Sequence, residues 1–406
     1  MRSSLLPLAA CAALLLLAAI PASAAPRRAL FDMTHAETAG NADWQIDTDQ
    51  PLPLPAQSTV TQATPRTYWL GAISSWAIDL VKRGYEVATL TPAYGITYGI
   101  AGNPYDLSLF DVFIVDEPNT AFTAAESTAI FDFVRDGGGL VAVGDHINSD
   151  RNGDGIDSPR IWNKLDALRL WGASFDVSGT NSNFTEVYST NVETALSDSI
   201  IHGPNGVVNG LEFHGGTCLT LDPGTNPTVR GSVWRNGQPH GNTAVMAGRS
   251  VYGNGRIFFL GDSSPTDDGS AAPGNSSIFD GWAEAAGGDS ILVINGTIWA
   301  TRRDAVVTGI APTAGGSALG PIRPNPSHGA IHFAVTLGAR LPVRVEVWDA
   351  AGRLVRRIAQ GERDAGRHEL AWDGADARGV PSPPGLYFIN ARWGDARATR
   401  RVVRLR

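Results

Sequence analysis

The stretch FTAAESTAIFDFVRDGGGLVAVGDH, residues 122–146, decides the fold of the larger part of this 406-residue chain. Thr123 and Glu126 have the spacing of a capping box, which predicts a helix from Thr123 to Asp136. Three glycines follow, and residues 140–143 are continuously apolar, as in a strand buried on both faces. The stretch therefore predicts a helix that leads back into a buried parallel strand.

The same alternation of strands and helices continues on both sides of this stretch. Further strands are predicted at 29–32, 85–90, 111–116 and 256–260, and further helices at 68–83 and 290–300. Strands separated by helices imply a mostly parallel sheet with helices on both faces. We therefore expect a three-layer α/β domain over residues 27–303, within which residues 165–255 show no assignable pattern.

The first 24 residues have the layout of a signal peptide. A basic Arg2 is followed by an apolar run over residues 5–20 and by small residues at 22–24, where cleavage is expected. No later apolar run reaches the roughly 20 residues that a membrane span needs. The sequence predicts an exported protein, secreted or on the cell surface, without a transmembrane span.

Composition excludes further classes of function. A hydrophobic content of 43% and a net charge of −8 are typical of a folded protein and argue against nucleic acid as a partner. Cleavage of the leader would remove Cys11 and leave Cys218 alone, so an intramolecular disulfide is not expected. The context of Cys218 predicts a small buried residue instead of a nucleophile.

Acidic residues and histidines follow several of the predicted strands. Because ligands of open α/β sheets bind outside the carboxyl ends of the strands, these side chains are expected to meet in one cleft. The expected catalytic residues are Asp116, Asp145, His146 and Asp262. Ligand contacts are expected from Asp32, His35, Asp43, Glu117 and Asp268. For each Asp alone, a turn or helix-cap role is the alternative.

Residues 150–158 have the spacing of a short calcium loop. Oxygen ligands are predicted from Asp150, Asn152, Asp154, Asp157 and Ser158 and from the backbone carbonyl of Ile156. Position twelve of an EF-hand would be Ile161 in place of a glutamate, so the full motif is not met. The alternative is a surface turn that binds no ion. The sequence does not specify any further metal in the cleft.

Three segments carry a family resemblance. Residues 122–141, the strand YGNGRIFF at 252–259 and the helix LVINGTIWA at 292–300 resemble the ThuA-like proteins of the class I glutamine-amidotransferase-like superfamily. The resemblance implies a flavodoxin-like fold. Amidotransferases of this fold carry a cysteine at a strand-to-helix elbow, whereas the strand here ends in Gly144, Asp145 and His146. That departure disfavours amidotransferase activity, and His146 matches a histidine that ThuA-like proteins often keep.

The C-terminal part differs in character. Residues 304–320 are rich in Gly, Ala, Ser, Thr and Pro and predict a linker, and residues 321–406 predict a small all-β sandwich of short alternating strands. The segments RPNP (323–326), AGR (351–353), WDG (372–374) and GLYF (385–388) are similar to FlgD-type immunoglobulin-like domains and type IX secretion sorting tails. The resemblance implies a partner in export or cell-surface machinery.

Two functions remain open from the sequence. In the first, the α/β domain is a hydrolase in which His146, with Asp145 or Asp116, activates water against a small-molecule or glycan substrate, with or without a metal ion. In the second, it is a non-catalytic ligand-binding or surface-adhesion module on the same fold. The clustered acidic and histidine side chains favour the first, and the lack of a recognisable nucleophile triad favours the second.

Overall fold

The computed structural model describes two parts of the chain. In the N-terminal part it describes residues 26–48, 57–185, 187–270, 279–284 and 287–301. In the C-terminal part it describes residues 318–319, 322, 325, 327–337, 339–350, 352–364, 366–394 and 396–405. The predicted signal peptide and all but two residues of the predicted linker lie outside the described residues.

The N-terminal part alternates strands and helices up to residue 165 and is then mostly β until its last helix. The helices are α1 (Ser74–Lys82), α2 (Ala124–Arg135), α3 (Ser158–Leu165) and α4 (Asp289–Thr301). The strands are β1 (Arg27–Asp32), β2 (Tyr85–Leu90), β3 (Val112–Asp116), β4 (Gly139–Val143), β5 (Ala173–Phe175), β6 (Val187–Ser189), β7 (Asn191–Val192), β8 (His202–Gly203), β9 (Gly206–Val207), β10 (Leu211–Phe213), β11 (Leu219–Leu221), β12 (Arg230–Trp234), β13 (Val245–Tyr252) and β14 (Gly255–Leu260).

The central sheet has a parallel half and an antiparallel half. Its order is β2-β1-β3-β4-β14-β13-β11-β5, with β12 pairing β13 and β7 at the side. The pairs from β2 to β14 are parallel, and β13 turns back against β14 in antiparallel pairing. Residues 165–255, which had no assignable pattern, supply most of the antiparallel half. The carboxyl ends of β1, β3, β4 and β14 consequently lie along one edge.

Helices cover both faces of the parallel half, which confirms the predicted three-layer fold. In β3, Val112 and Ile114 belong to a core shared with α1 and α4. The alternate residues Phe113 and Val115 belong to a core shared with α2 and α3. Because successive side chains of a strand point to opposite faces, a continuously apolar strand is what two covered faces require.

The start of α1 differs from the prediction. The apolar spacing predicted a helix from residue 68, but α1 begins at Ser74, and its N-cap residue, Ile73, makes no side-chain capping bond. The carboxylate of Asp268 takes that role, because it accepts hydrogen bonds from Ser74 Oγ at 2.6 Å and from the backbone N–H of Ser75 at 2.7 Å. A distant residue thus sets where the helix begins.

The capping box that begins α2 is present as predicted. Thr123 Oγ1 accepts from the backbone N–H of Glu126 at 3.3 Å, and the Glu126 carboxylate accepts from the N–H of Thr123 at 2.8 Å. We expect Thr123→Ala to lower the free energy of unfolding by about 1 kcal/mol, because one N–H of the first turn loses its partner. Urea denaturation followed by circular dichroism measures the change.

Thr128→Ala is the matched control for this capping prediction. Thr128 lies on the exposed face of the same helix and its hydroxyl bonds only the carbonyl of Ala124. Alanine is the better helix former, so this variant is expected to be as stable as the parent or slightly more stable. Equal losses in the two threonine variants would contradict a specific capping contribution.

The C-terminal part is a β-sandwich. Its strands are β15 (Ala318–Leu319), β16 (Ile331–Leu337), β17 (Leu341–Asp349), β18 (Leu354–Arg363), β19 (Gly366–Trp372), β20 (Gly385–Trp393) and β21 (Ala396–Arg404). One sheet has the order β15-β16-β19 and the other β18-β17-β20-β21. Side chains from both sheets, such as Phe333, Val345, Trp372 and Ile389, form one core. The predicted all-β domain is therefore confirmed for this part.

Candidate functional site

A cavity of about 270 Å³ opens at the carboxyl edge of the parallel strands. Asp145 and His146 follow β4, and Asp262 follows β14, which pairs with β4 through to Leu260 and Val143. Parallel neighbours end at the same edge, so these three predicted residues line one cavity. Loops contribute further lining residues, namely Asn41, Trp44, Arg151, His214, Gly215, Ser263, Ser264, Asp267 and Phe279.

His146 has one ring nitrogen fixed and one available. Its Nδ1 lies 2.6 Å from the carbonyl oxygen of Ile147. A carbonyl only accepts hydrogen bonds, so Nδ1 carries a proton, and in the neutral ring Nε2 keeps its lone pair. Gly215 lies against the ring, since a Cβ at that position would be 3.3 Å from His146 Cδ2. A neutral imidazole held in this way can take a proton from water or bind a metal ion through Nε2.

A second histidine reaches the same cavity from the antiparallel half. His214 follows β10, its Nε2 lies 2.6 Å from Glu284 Oε1, and its ring stacks on Phe279 at a centroid distance of 4.2 Å. Glu212, His214 and Glu284 can each bring a ligand atom within 4.8 Å of the others. All three are partly exposed, so this group is chemically able to hold a metal ion at the cavity wall.

A buried ion-pair network lies beside His146. Arg151 Nε is 2.5 Å from Glu117 Oε1, and Arg151 Nη2 is 3.1 Å from Asp145 Oδ2. Trp44 Nε1 and Ser263 Oγ donate to the other oxygen of Glu117 at 2.8 and 3.0 Å. Glu117 is fully buried and has a φ of +47°, a left-handed conformation that a glutamate adopts only when its surroundings enforce it.

The carboxyl groups at the strand ends repel one another. Burial raises the pKa of Asp116 and of Asp145 well above the usual range, and the nearby charges of Glu117 and Asp262 raise both further. Burial also raises the pKa of Asp262 to about 6, although hydrogen bonds from the following loop oppose the shift. Thr266 Oγ1 donates to one oxygen of Asp116 at 2.6 Å. Among the described residues, the other oxygen, Asp116 Oδ1, has no hydrogen-bond partner.

The structure does not bring all the predicted residues to the cavity. Asp116 and Glu117 are buried and do not line it, Asp268 caps α1, and Asp43 accepts a hydrogen bond from Gln45 Nε2 at 2.5 Å. Asp32 and His35 hydrogen-bond each other at 2.7 Å in a separate buried cluster. Strand order determines the edge of the sheet at which a residue lies. It does not determine whether the side chain faces the cavity or the interior, so these six side chains do not line the cavity as expected.

The lining residues contributed by loops were not predicted as site residues, and Arg151, His214 and Phe279 are examples. Arg151 lies inside the predicted calcium loop, and neither His214 nor Phe279 belongs to a pattern that predicts a site residue. A salt bridge between Arg151 and Glu117, 34 residues apart, has no signal in a single sequence. Cys218 is buried as predicted, and burial raises the pKa of its thiol to about 12, which removes it as a nucleophile.

The predicted calcium loop is closed by its own hydrogen bonds. Asp150 accepts from the backbone N–H groups of Asp154 and Gly155 at 3.0 and 2.7 Å. Asp157 caps α3 by accepting from the N–H of Arg160 at 3.1 Å, and it also pairs with the guanidinium of Arg160. The carboxylate of Asp157 is therefore already in use, so Ca²⁺ binding by this loop stays a prediction.

If the loop binds Ca²⁺, EGTA should lower the melting temperature of the full chain. Binding stabilises the folded state by about 2.7 kcal/mol at a hundredfold excess over the dissociation constant. Asp154→Ala should remove the response, whereas Asp222→Ala, at an exposed turn of similar hydrogen bonding, should keep it. Identical melting curves with and without EGTA would end the calcium hypothesis.

Comparison with known proteins identifies the C-terminal domain. Residues 327–395 match the family model of the FlgD Ig-like domain, which confirms the prediction for this part of the chain. No curated protein matches the chain. In the part of the chain that the structure describes, no helix has the length and apolar character to cross a membrane.

Solved structures match both parts. The N-terminal domain of mmIFT52 is 15% identical, covering 68% of this chain and 98% of that one at a TM-score of 0.41. A ThuA-like protein from Parabacteroides merdae is 12% identical, covering 68% of this chain and 90% of that one at a TM-score of 0.37. PorZ, a surface component of the type IX secretion system of Porphyromonas gingivalis, is 18% identical over 22% of this chain at a TM-score of 0.17. The chain spans about a tenth of the length of PorZ and of PorU from the same organism.

Proposed function

We propose that this chain is an exported hydrolase whose α/β domain cleaves a small polar, carbohydrate-type substrate in the cavity beside β4 and β14. The observation that carries the proposal is the state of His146. Its Nδ1 is committed to the carbonyl of Ile147, so its Nε2 is the acceptor nitrogen at a polar cavity. A general base must first have an acceptor atom within reach of the proton that it removes, and its pKa is the second requirement.

The surroundings of His146 support the proposed role. As water attacked the substrate, Nε2 would take one proton and the imidazole would become positive. The bond to the leaving group would then break, and the same proton would pass from Nε2 to the leaving group. Asp145 and Asp262 line the same cavity and would stabilise that positive charge when ionised. Arg151 holds Asp145 at 3.1 Å, which fixes the carboxylate that accepts the backbone N–H of His146. Polar lining groups such as Asn41 and Ser264 suit a substrate rich in hydroxyl groups.

A non-catalytic binding module is the second candidate, and one observation favours it. Both oxygens of Asp262 accept hydrogen bonds from the chain itself, including the N–H groups of His214 and Gly215 at 2.9 and 3.2 Å. A carboxylate used in this way shapes the cavity and has little capacity left for proton transfer. The same cavity would then bind a polar ligand and leave it unchanged.

The proposed location is outside the cytoplasm, at the cell surface or secreted. The FlgD Ig-like match at 327–395 supports this, as does the signal-peptide layout of residues 1–24 in the sequence. The partner of the C-terminal sandwich would be export or surface machinery. Cell fractionation with antibody detection tests the location separately from catalysis.

The catalytic proposal is tested by a substrate screen on the full chain. Chromogenic glycosides, esters and amides are assayed with and without Ca²⁺ and Zn²⁺, and the matching free sugars and acids are tested by thermal shift. Hydrolysis of one class supports the hydrolase. A rise in melting temperature with a sugar but no turnover of any glycoside would establish the binding module instead. The Cys218→Ala variant is the control for a thiol-dependent activity.

A further inference from the structure

A second group of chemistry-bearing side chains lies at the end of β1, separate from the cavity. Asp32, His35 and Glu37 are at most 3% exposed, and one ligand atom from each lies within 4.8 Å of the others. Glu126, in the first turn of α2, brings a third carboxylate to within 3.6 Å of His35 Nε2. Three carboxylates and one imidazole thus meet at the end of β1, and Asp32, His35 and Glu37 are buried there while Glu126 is partly exposed.

One of these carboxylates lacks a partner. Glu37 Oε2 accepts the backbone N–H of His35 at 2.7 Å, but Glu37 Oε1 is buried and has no hydrogen-bond partner among the described residues. A buried carboxylate oxygen without a partner costs free energy, because it loses its hydrogen bonds to water on burial and gains none from the protein. Glu37 is 1% exposed, so solvent does not supply the missing contact.

The positive charge available to the cluster is small. Within the described residues, neither Arg nor Lys pairs with Asp32, Glu37 or Glu126, and the ion pairs of Asp32 and Glu126 are with His35. With all three carboxyl groups ionised, even a protonated imidazole would offset only one of the three charges. A divalent cation offsets two and also gives the unpartnered oxygen of Glu37 a ligand.

We propose that Asp32, His35 and Glu37 form a metal site that holds one divalent transition-metal ion of the Zn²⁺ type and ties the end of β1 to the loop after it. One imidazole nitrogen among carboxylate oxygens selects this class of ion, because Ca²⁺ and Mg²⁺ prefer oxygen ligands alone. Thr34 Oγ1 donates to Asp32 Oδ1 at 2.7 Å and orients that carboxylate as an outer-shell partner does in metal sites. The site is structural, because its ligands are closed to solvent.

The test uses the full, untagged chain, since a polyhistidine tag would itself bind zinc. The protein is stripped with EDTA and supplied with excess Ca²⁺, so that the 150–158 loop does not change state. Zn²⁺ is then titrated against a chromophoric chelator, and the metal content after dialysis is measured by mass spectrometry. We expect one Zn²⁺ per chain and a higher melting temperature with zinc.

Two variants locate the ion. Glu37→Gln keeps the shape of the side chain and should weaken Zn²⁺ binding by about tenfold or more. His214→Gln, which disrupts the partly exposed group at the cavity wall, should leave the dissociation constant unchanged. Asp32→Asn is the second ligand variant, should Glu37→Gln fail to fold by circular dichroism.

Three outcomes overturn the proposal. They are a parent chain that retains no zinc, a Glu37→Gln chain that binds as tightly as the parent, and a loss of binding in His214→Gln alone. If neither protein contains zinc and the Glu37→Gln chain is as stable as the parent, then a proton on Glu37, and not a metal ion, stabilises the cluster. Because the readouts are metal content and stability, failure here is independent of whether the cavity is catalytic.

Discussion

His146→Ala is expected to lower kcat/KM on the substrate found in the screen by about 10²- to 10⁴-fold, the contribution usual for a general base. The loss follows from removal of the nitrogen that would accept the proton of water. The melting temperature should change little, because the ring is partly exposed and its hydrogen bond is to the adjacent carbonyl of Ile147. Steady-state kinetics with a thermal melt of the same preparation measures both quantities.

The control for this variant is His240→Ala. His240 is exposed, stacks on Trp234 at 4.0 Å and does not line the cavity, so its loss should leave kcat/KM within a factor of about two. Retention of parental activity by His146→Ala would move the assignment to the binding module, provided that the screen had found turnover.

Arg151→Ala is expected to lower the free energy of unfolding by about 3–5 kcal/mol, the usual cost of removing one partner of a buried ion pair. Glu117 is fully buried and would keep only its neutral donors, Trp44 and Ser263, while Asp145 would lose its cationic partner. Chemical denaturation of the parent and variant gives the difference.

Arg135→Ala is the control variant, because it removes the same charge from an exposed position. Arg135 pairs with Asp132 and Asp136 on the exposed side of α2, where half of its side chain is accessible, so its loss should cost less than about 1 kcal/mol. Adding Glu117→Gln to Arg151→Ala should restore part of the lost stability, since the uncompensated charge is then gone. Equal costs at the two arginines would show that Arg151 acts as a surface residue.

Local signals predicted the fold where local interactions decide it. The capping box at Thr123, the glycines at 137–139 and the apolar strand after them fix α2 and β4 through contacts a few residues apart. The start of α1 was wrong because the group that caps it, Asp268, lies 194 residues away from Ser74. The antiparallel half escaped prediction because its strands are mostly two to five residues long and carry little periodic pattern.

The residues of the candidate site also fall into those that the sequence predicted and those that it did not. The rule that strand ends converge brought Asp145, His146 and Asp262 together correctly, since it depends only on strand order. It did not separate them from Asp116, whose side chain is buried away from the cavity lining and accepts a hydrogen bond from Thr266. The partners Arg151 and His214 come from segments whose position follows from packing, which periodicity does not encode.

The contacts around the cavity join residues that are far apart in sequence, which determines when they form during folding. Ser263 and Glu117, which share a hydrogen bond beside the cavity, are 146 residues apart, and β4 pairs with β14 across a similarly long segment. Contacts of such large sequence separation form late and slowly, because the intervening chain must first be ordered. Until these contacts form, the residues of the cavity are dispersed along the chain. Whatever chemistry the cavity performs therefore begins only after the α/β domain has folded.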